Sequence, residues 1–371
     1  MEEWKEVKLG DISDVQTGPF GSQLHKEDYV KSGTPIVTVE HLGNKQFNTD
    51  NLPCVTDSDR ERLSKYIAYE GDVIFSRVGS VDRCSYVDKK TSGWLFSGRC
   101  LRVRPFDDVS GEFLYYYFNL YTTKQYIRNA AVGTTMPSIN TSILSEVPIS
   151  LPPLDIQHHI ASILSSLDDK IEVNRRINDN LEQQAQALFK HWFVDFAPFK
   201  DGKFVESELG LIPEGWRVGT YQEIIQDTIS GDWGKEKPEG NYTHKVACIR
   251  GCDFQDVKMG LRGKTPERYI LEKNYDSKHF NDKDVLVEIS GGTATVSTGR
   301  ICPVSQLLID KYNGDIICTN FCRLVRPSIG YSSYLYYSWK YKYDKKVMFG
   351  YENGTSGIKN FSIKDFTSRE P

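Results

Sequence analysis

The chain repeats itself, and this restricts its fold more than any other feature of its 371 residues. When the C-terminal part is laid over the N-terminal part at an offset of 210 to 222 residues, short matches appear in one order throughout. "EEWKEVKLGDI" answers "EGWRVGTYQEI", which places Trp4 on Trp216, and "TGPFGS" answers "SGDWGK", which places Gly18-Pro19-Phe20-Gly21 on Gly231-Asp232-Trp233-Gly234. "GDVIFSRVGS" then answers "KDVLVEISGG", "LRVRP" answers "RLVRP", "FLYYYF" answers "YLYYSW", and "GTTMPSINTSI" answers "GTSGIKNFSI". Each match is weak alone; their shared order over about 150 residues predicts a duplicated domain. The length suits two domains, each able to bury its own core.

Within each copy, β-rich runs (TPIVTV, DVIFSRV and CLRVRP; KVACIR, DVLVEI and CRLVRP) alternate with Gly, Pro and Asn. Each copy then enters an aromatic helix, EFLYYYFNLYTTKQYIRN or SSYLYYSWKYKYDKKV, whose tyrosines we assign to packing. The expected fold class is α/β (α+β), with two similar domains built on twisted sheets. The boundaries follow from the repeat: a first domain over 1–150, a helical region over 151–197, a linker over 198–214, and a second domain over 215–371.

Between the copies lies "PLDIQHHIASILSSLDDKIEVNRRINDNLEQQAQALFKHWF", residues 153–193, which keeps a helical rhythm along its length. Pro152 and Pro153 can precede or open a helix but not continue one, and Asp155 suits the positive end of a helix dipole. Seam residues then recur at alternating spacings of four and three: Ile160, Leu164, Leu167, Ile171, Asn174, Asn178, Leu181, Ala185, Leu188 and Trp192. At about 1.5 Å per residue the rod would be roughly 60 Å long, more than an ordinary domain is wide. This heptad pattern predicts a coiled-coil-forming helix, with Asn174 and Asn178 selecting a partner that offers polar matches.

The net charge of −4 argues against indiscriminate coating of nucleic acid, but two basic islands stand out. Arg60 to Arg104 holds ten Lys/Arg against five Asp/Glu, and Arg323 to Lys364 holds eight against two. Such islands suit phosphate neutralisation at a defined site. The eight cysteines are scattered and expected to be reduced. Cys248/Cys252 and Cys318/Cys322 form CxxxC pairs in or beside apolar strand-like runs, so buried thiols are expected there rather than zinc. No metal site is expected, since the seven histidines form no HExxH cluster. The Gly-rich run "SGGTATVSTG" lacks the lysine of a phosphate loop, and no NPPY or DPPY string of an amino-methyltransferase occurs. The chain is therefore not expected to be catalytic. No run approaches the roughly 18 apolar residues of a membrane span, and the start "MEEWKEVKLGDI" is unlike a signal peptide, so a cytoplasmic location without membrane contact is expected.

Two similar domains, each able to touch DNA and separated by a rigid rod of fixed length, would read two short sequences at a fixed distance. The segment "VPISLPPLDIQHHIASILSSLDDKIEVNRR" resembles the end of a target-recognition domain followed by the conserved helical region in specificity (S) subunits of type I restriction-modification systems. "MEEWKEVKLGDI" and "EGWRVGTYQEI" resemble the openings of such domains, and "GTTMPSINTSIL" and "GTSGIKNFSIKDF" resemble their closings. The resemblance covers essentially the whole chain. It implies a non-catalytic DNA-binding subunit whose recognition domains read the halves of a bipartite double-stranded target. It also implies paired helical regions that dock methyltransferase (M) subunits, joined by restriction/translocase (R) subunits. S-adenosylmethionine, ATP and Mg would belong to those partners, and this chain itself would bind no cofactor. The family's second helical region is not found before Pro371. Either the helix therefore pairs with a methyltransferase, a separately encoded half-subunit or a second copy in a homodimer, or the chain is a truncated or rearranged allele acting only as an interaction protein.

Base readout needs donors and acceptors on loops, and phosphate contacts need Lys, Arg or backbone N–H groups. The resemblance supplies no universal base-reading motif, so the candidates are positional. In the first copy they are Gln16, Ser22, Gln23 and Lys26 around the Gly-Pro-Phe-Gly loop, Arg77, Ser80 and Arg83 after the "VIF" strand, and Thr134, Thr135 and Asn140. In the second copy they are Trp233, Lys235 and Lys237, then Ser290, Thr293 and Arg300, then Thr355, Ser356 and Lys359. Gly18, Gly21 and Gly234 are expected to form turns.

Overall fold

Alternating apolar residues build each domain around a four-stranded antiparallel sheet with a core on either face. The computed structural model describes residues 4–293, 295–354 and 359–371, with only the backbone of Ser22 and Lys26. The chain divides into two compact units, Met1–Val173 and Asn174–Pro371.

In the first unit the strands run in the order Ser13–Thr17, Cys100–Pro105, Val73–Ser76, Cys84–Tyr86. Val73, Phe75, Leu101 and Val103 point to one core, and Ile74 and Cys100 to the other, as the period of two in a strand requires. The first core is closed by the aromatic helix Gly111–Phe118, the second by a smaller sheet in which Thr34–Val37 pairs antiparallel with Cys54–Val55 and parallel with Leu95–Phe96.

The second unit repeats this topology. Its four-stranded sheet runs Ile225–Ser230, Cys322–Pro327, Val285–Glu288, Ile301–Pro303. Its smaller sheet places Tyr242–Ile249 antiparallel to Glu267–Leu271 and parallel to Ile316–Cys318. The correspondence extends to a buried ion pair. Arg104 donates to both oxygens of Asp72 at 2.8 and 2.7 Å, and Arg326 to both of Asp284 at 3.2 and 3.1 Å. Both aspartates are almost fully buried and also accept a backbone N–H, from Tyr69 at 2.8 Å and from Asn281 at 2.9 Å.

Two segments depart from expectation. The first aromatic run forms two helices, Gly111–Phe118 and Tyr121–Ala130, because the Asn119 amide donates to the Tyr115 carbonyl at 2.9 Å and ends the first of them. The stretch read as a linker holds a hairpin, Phe204–Ser207 with Gly210–Pro213.

The expected rod is one helix, Leu154–Phe193. Its first half docks on the first unit through Gln157, Ala161, Ser165 and Asp168. Gln157 accepts from the Ser110 N–H at 2.8 Å, Ser165 from Lys45 at 2.6 Å, and Asp168 from the Tyr116 hydroxyl at 2.7 Å. Its second half docks on the second unit through Glu182, which accepts from the Tyr336 hydroxyl at 2.9 Å, and through Phe189, which packs against Tyr334. Of the seam residues, Ile160, Leu164 and Ala185 are half-buried, whereas Leu167, Ile171, Asn174, Asn178, Leu181, Leu188 and Trp192 are exposed. Ile163 and Ile177, outside the seam as read, are exposed as well.

Candidate nucleic-acid interface

In each unit a tight turn entering the second strand of the main sheet gathers the loops around it. In the first unit this turn is Ser97–Cys100, closed by the Cys100 N–H donating to the Ser97 carbonyl at 2.9 Å. The fully buried Cys100 anchors it in the core. The Gly-Pro-Phe-Gly loop lies directly on the turn, where a Cβ at Gly18 would collide with the Ser97 carbonyl. Gly21 has a φ of 52°, in the left-handed region where an L side chain is strained. The Arg77 N–H donates to the Arg99 carbonyl at 2.9 Å, and its guanidinium donates to the Gly98 carbonyl at 3.0 Å. That guanidinium lies 4.4 Å from the centre of the exposed Phe20 ring, a cation–π stack that fixes the ring.

A third loop joins them. Val132 and Ser138 exchange two backbone hydrogen bonds, of 2.9 and 2.8 Å, which project Thr134, Thr135 and Met136 into solvent. The loop is tied to the Arg77 segment by Gly79 N–H to Pro137 carbonyl at 2.8 Å and Ile139 N–H to Arg77 carbonyl at 2.9 Å. Asn140 caps the helix Thr141–Ser145, its side chain accepting from Ile143 N–H at 2.8 Å. Three segments far apart in sequence therefore present Phe20, Arg77, Ser80, Thr134 and Thr135 along one edge of the unit. Phe20, Arg77 and Arg99 line a groove of about 480 Å³ there, with Thr38 and Glu40.

The other first-copy candidates lie apart from this cluster or have partners. Gln16 is half-buried opposite Arg102 in the sheet. Gln23 accepts from Arg62 and from the Tyr66 hydroxyl, both at 2.6 Å, and Arg83 donates to the Leu42 carbonyl. The side chains of Ser22 and Lys26 lie outside the described residues.

The second unit builds the same edge from different side chains. Its turn is Thr319–Cys322, with Cys322 N–H to Thr319 carbonyl at 2.9 Å and Ile289 N–H to Phe321 carbonyl at 2.9 Å. A Cβ at Gly231 would collide with the Thr319 carbonyl, and Gly234 has a φ of 55°, so both glycines of the loop keep the roles of their counterparts. The Phe361 N–H donates to the Ile289 carbonyl at 2.8 Å, as Ile139 does to Arg77. Trp233 is exposed and stacked, with the Arg268 guanidinium 4.2 Å from its ring centre. Arg268 comes from a different strand from the one leading to Arg77, so the two units reach one arrangement by separate routes.

Lys235 lies 3.5 Å from Glu239, and Lys237 is exposed. Ser290 pairs with Asn360, and the Thr293 hydroxyl accepts from Val296 N–H at 3.0 Å within a turn. Arg300 makes a fork to the buried Glu288 at 2.7 and 2.6 Å, and those bonds raise the pKa of its guanidinium. Lys359 donates to Glu352 at 2.8 Å. Burial alone would raise the pKa of Glu352, but bonds from Lys359 and Thr298 outweigh it and hold the carboxyl below its usual range. Thr355 and Ser356 lie outside the described residues.

The positional reading missed Phe20, Arg99, Arg268 and Phe321. The matched "LRVRP" and "RLVRP" segments carried a usable signal, because extending them four residues upstream aligns "SGRC" with "TNFC" and so Arg99 with Phe321. Arg268 gave none, since its role comes from strand pairing alone. The CxxxC pairs straddle turns; Cys248, Cys318 and Cys322 are buried and Cys252 is exposed. Among the described residues no group of three or more His, Cys, Asp or Glu side chains is placed to hold a metal ion, and no helix is long and apolar enough to cross a membrane. What the edges offer is flat aromatic faces, guanidinium groups and backbone-fixed loops, the chemistry that contacts bases and phosphates.

Residues 1–183 match a family described as the type I restriction modification DNA specificity domain. The MjaIX specificity subunit of a type I restriction enzyme from Methanocaldococcus jannaschii is 30% identical over 311 residues, which is 81% of this chain and 69% of that protein. The HindI specificity subunit of Haemophilus influenzae is 30% identical over 240 residues, 64% of this chain and 49% of that protein. Among solved structures, the type I restriction-modification S subunit from M. genitalium is 17% identical with a TM-score of 0.49, covering 94% of this chain and 79% of that one. The duplicated domains, the long helix between them and this similarity over most of the chain have one reading: the protein belongs to the family of DNA specificity subunits of type I restriction-modification systems.

Proposed function

We propose that this specificity subunit reads a bipartite double-stranded DNA target, one half with each unit, and recruits methyltransferase and restriction subunits to it without catalysing a reaction itself. The observation that supports this reading best is the paired construction of the two edges. Each unit ties a glycine loop and the segment after its central strand to one turn and stacks an exposed aromatic ring on an arginine, with different side chains facing solvent. Two copies of one scaffold with different reading groups suit an asymmetric target.

The exposed apolar face of the long helix, including Leu167, Ile171, Leu181 and Leu188, serves as the docking face for a methyltransferase subunit. In a homodimer a second copy of this chain would share that face. S-adenosylmethionine serves adenine methylation, and ATP and Mg serve translocation; all three are held by the partners.

Co-expression with the cognate methyltransferase, followed by genome-wide mapping of methylated adenines, tests the proposal. The expected result is one two-part motif with a constant spacer. Absence of both methylation and a stable complex would overturn it.

A further inference from the structure

We infer that Arg99 and Phe321 are specificity-determining residues, with Arg99 reading a guanine in the first unit's half-target and Phe321 packing on a thymine methyl group in the second unit's half-target. The inference rests on the proposed reading of DNA by both units and names the bases that the two turns select.

Arg99 and Phe321 hold the same place in the duplicated fold. Each is the third residue of a turn closed at 2.9 Å, and each carbonyl accepts, at 2.9 Å, the N–H of the residue following the central strand. Each is followed by a fully buried cysteine, Cys100 or Cys322, and lies two residues after the one, Ser97 or Thr319, whose carbonyl blocks a Cβ on the glycine of the neighbouring loop. The backbone beneath both side chains is therefore held from three sides, which is the pre-organisation a reading group needs. Both side chains nevertheless face solvent, Phe321 with 58% of its surface exposed.

Their neighbours indicate which contacts remain for them. Arg77 is engaged by the Gly98 carbonyl and the Phe20 ring, so it serves as a support. The Arg99 guanidinium makes no hydrogen bond or ion pair among the described residues. Its fork of donors matches the O6 and N7 acceptors of guanine in the major groove. Glu40, lining the same groove, disfavours a phosphate there and would accept from a cytosine amino group. Phe321 forms no ring contact with another aromatic side chain among the described residues and has no hydrogen-bonding group. The apolar feature a base edge presents in the major groove is the thymine methyl, so a phenyl ring at the reading position selects thymine.

The test uses the whole complex of this chain with its methyltransferase, carrying Arg99→Ala, Arg99→Lys or Phe321→Ala, and reads methylated motifs across a genome. Arg99→Ala is expected to relax one guanine position in one half of the motif, reducing the preference on the order of tenfold to a hundredfold, and to leave the other half unchanged. Arg99→Lys keeps the charge but loses the fork, and is expected to relax the same position. Phe321→Ala is expected to relax one thymine position in the other half. The unaltered half in each variant reports that the protein is folded and docked.

An Arg99→Lys variant with the unaltered motif, uniform weakening at every site, or relaxation of the same half by Arg99→Ala and Phe321→Ala would each overturn the inference. A wild-type complex that methylates no two-part motif would instead overturn the proposed function, and is recognised before any variant is made.

Discussion

His244 lies between two carboxylates and against a ring. It stacks on Tyr275 with ring centres 3.9 Å apart, while its nitrogens meet Glu272 at 2.9 Å and Asp315 at 3.1 Å. Burial alone would lower its pKa, but the two carboxylates outweigh burial and raise it. Two acceptors require both ring nitrogens to carry protons, so the bonded form is the imidazolium. A folded-state pKa above the unfolded one gives stability that is fully present below the unfolded pKa and is lost as pH rises through the folded one. His244→Ala is accordingly expected to destabilise the second unit by up to about 1 kcal/mol near pH 5.5, and by less near pH 8.5. Urea unfolding at the two pH values measures this; an equal loss at both would assign the effect to the Tyr275 stack. The sequence offers no sign of this triad, whose carboxylates are 28 and 71 residues from the histidine. The loop glycines are the opposite case. Gly21 and Gly234 were readable as turn formers because a positive φ leaves its mark in residue type, whereas Arg268 became a ring support only through strand register.

At the scale of elements, the long helix was legible and its docking face was not. Hydrophobic periodicity marked a helix from Pro153 to Phe193, and the structure has it from Leu154 to Phe193. Periodicity detects apolar stripes, yet this helix docks on its own units largely with polar side chains. Gln157, Ser165, Asp168 and Glu182 bond to Ser110, Lys45, Tyr116 and Tyr336, whereas Leu167 and Leu181 remain more than half exposed. An exposed apolar stripe with a separate polar attachment suits a helix with a second partner. Leu167→Asp with Leu181→Asp is expected to lower methyltransferase association at least a hundredfold, because each charge would have to be buried in the seam. Thermal unfolding should stay within about 1 kcal/mol of wild type, since both residues are solvent-facing in the folded chain. Ala161→Asp is the contrast: Ala161 is buried in the first core, so this change should lower stability directly. Undiminished co-purification of the double variant would show that the methyltransferase docks elsewhere.

Over the whole molecule, charge counts mislead until each charge is assigned a partner. The net charge of −4 conceals two basic islands, and each island is partly consumed inside its own unit. Arg62, Arg102 and Arg104 pair with Asp59, Asp14 and Asp72; Arg326, Lys340, Lys342 and Lys359 pair with Asp284, Asp344, Glu370 and Glu352. Composition counts these cations with the rest, although they hold the fold and have little left for phosphate. Lys237, beyond the Trp233 turn, is exposed, and under the proposed function it is one of the cations left to neutralise phosphate. The two classes should separate by experiment. Lys237→Ala is expected to flatten the dependence of log K on log salt concentration by about one unit, weakening binding evenly across sequences, with an unchanged unfolding midpoint. Arg326→Ala leaves Asp284 buried without its cation, and should cost the second unit about 3 kcal/mol in urea unfolding. Under conditions where that unit stays folded, its salt slope should match wild type. An altered slope in Arg326→Ala, or an unaltered one in Lys237→Ala, would mean that the paired and free cations have been assigned the wrong way round.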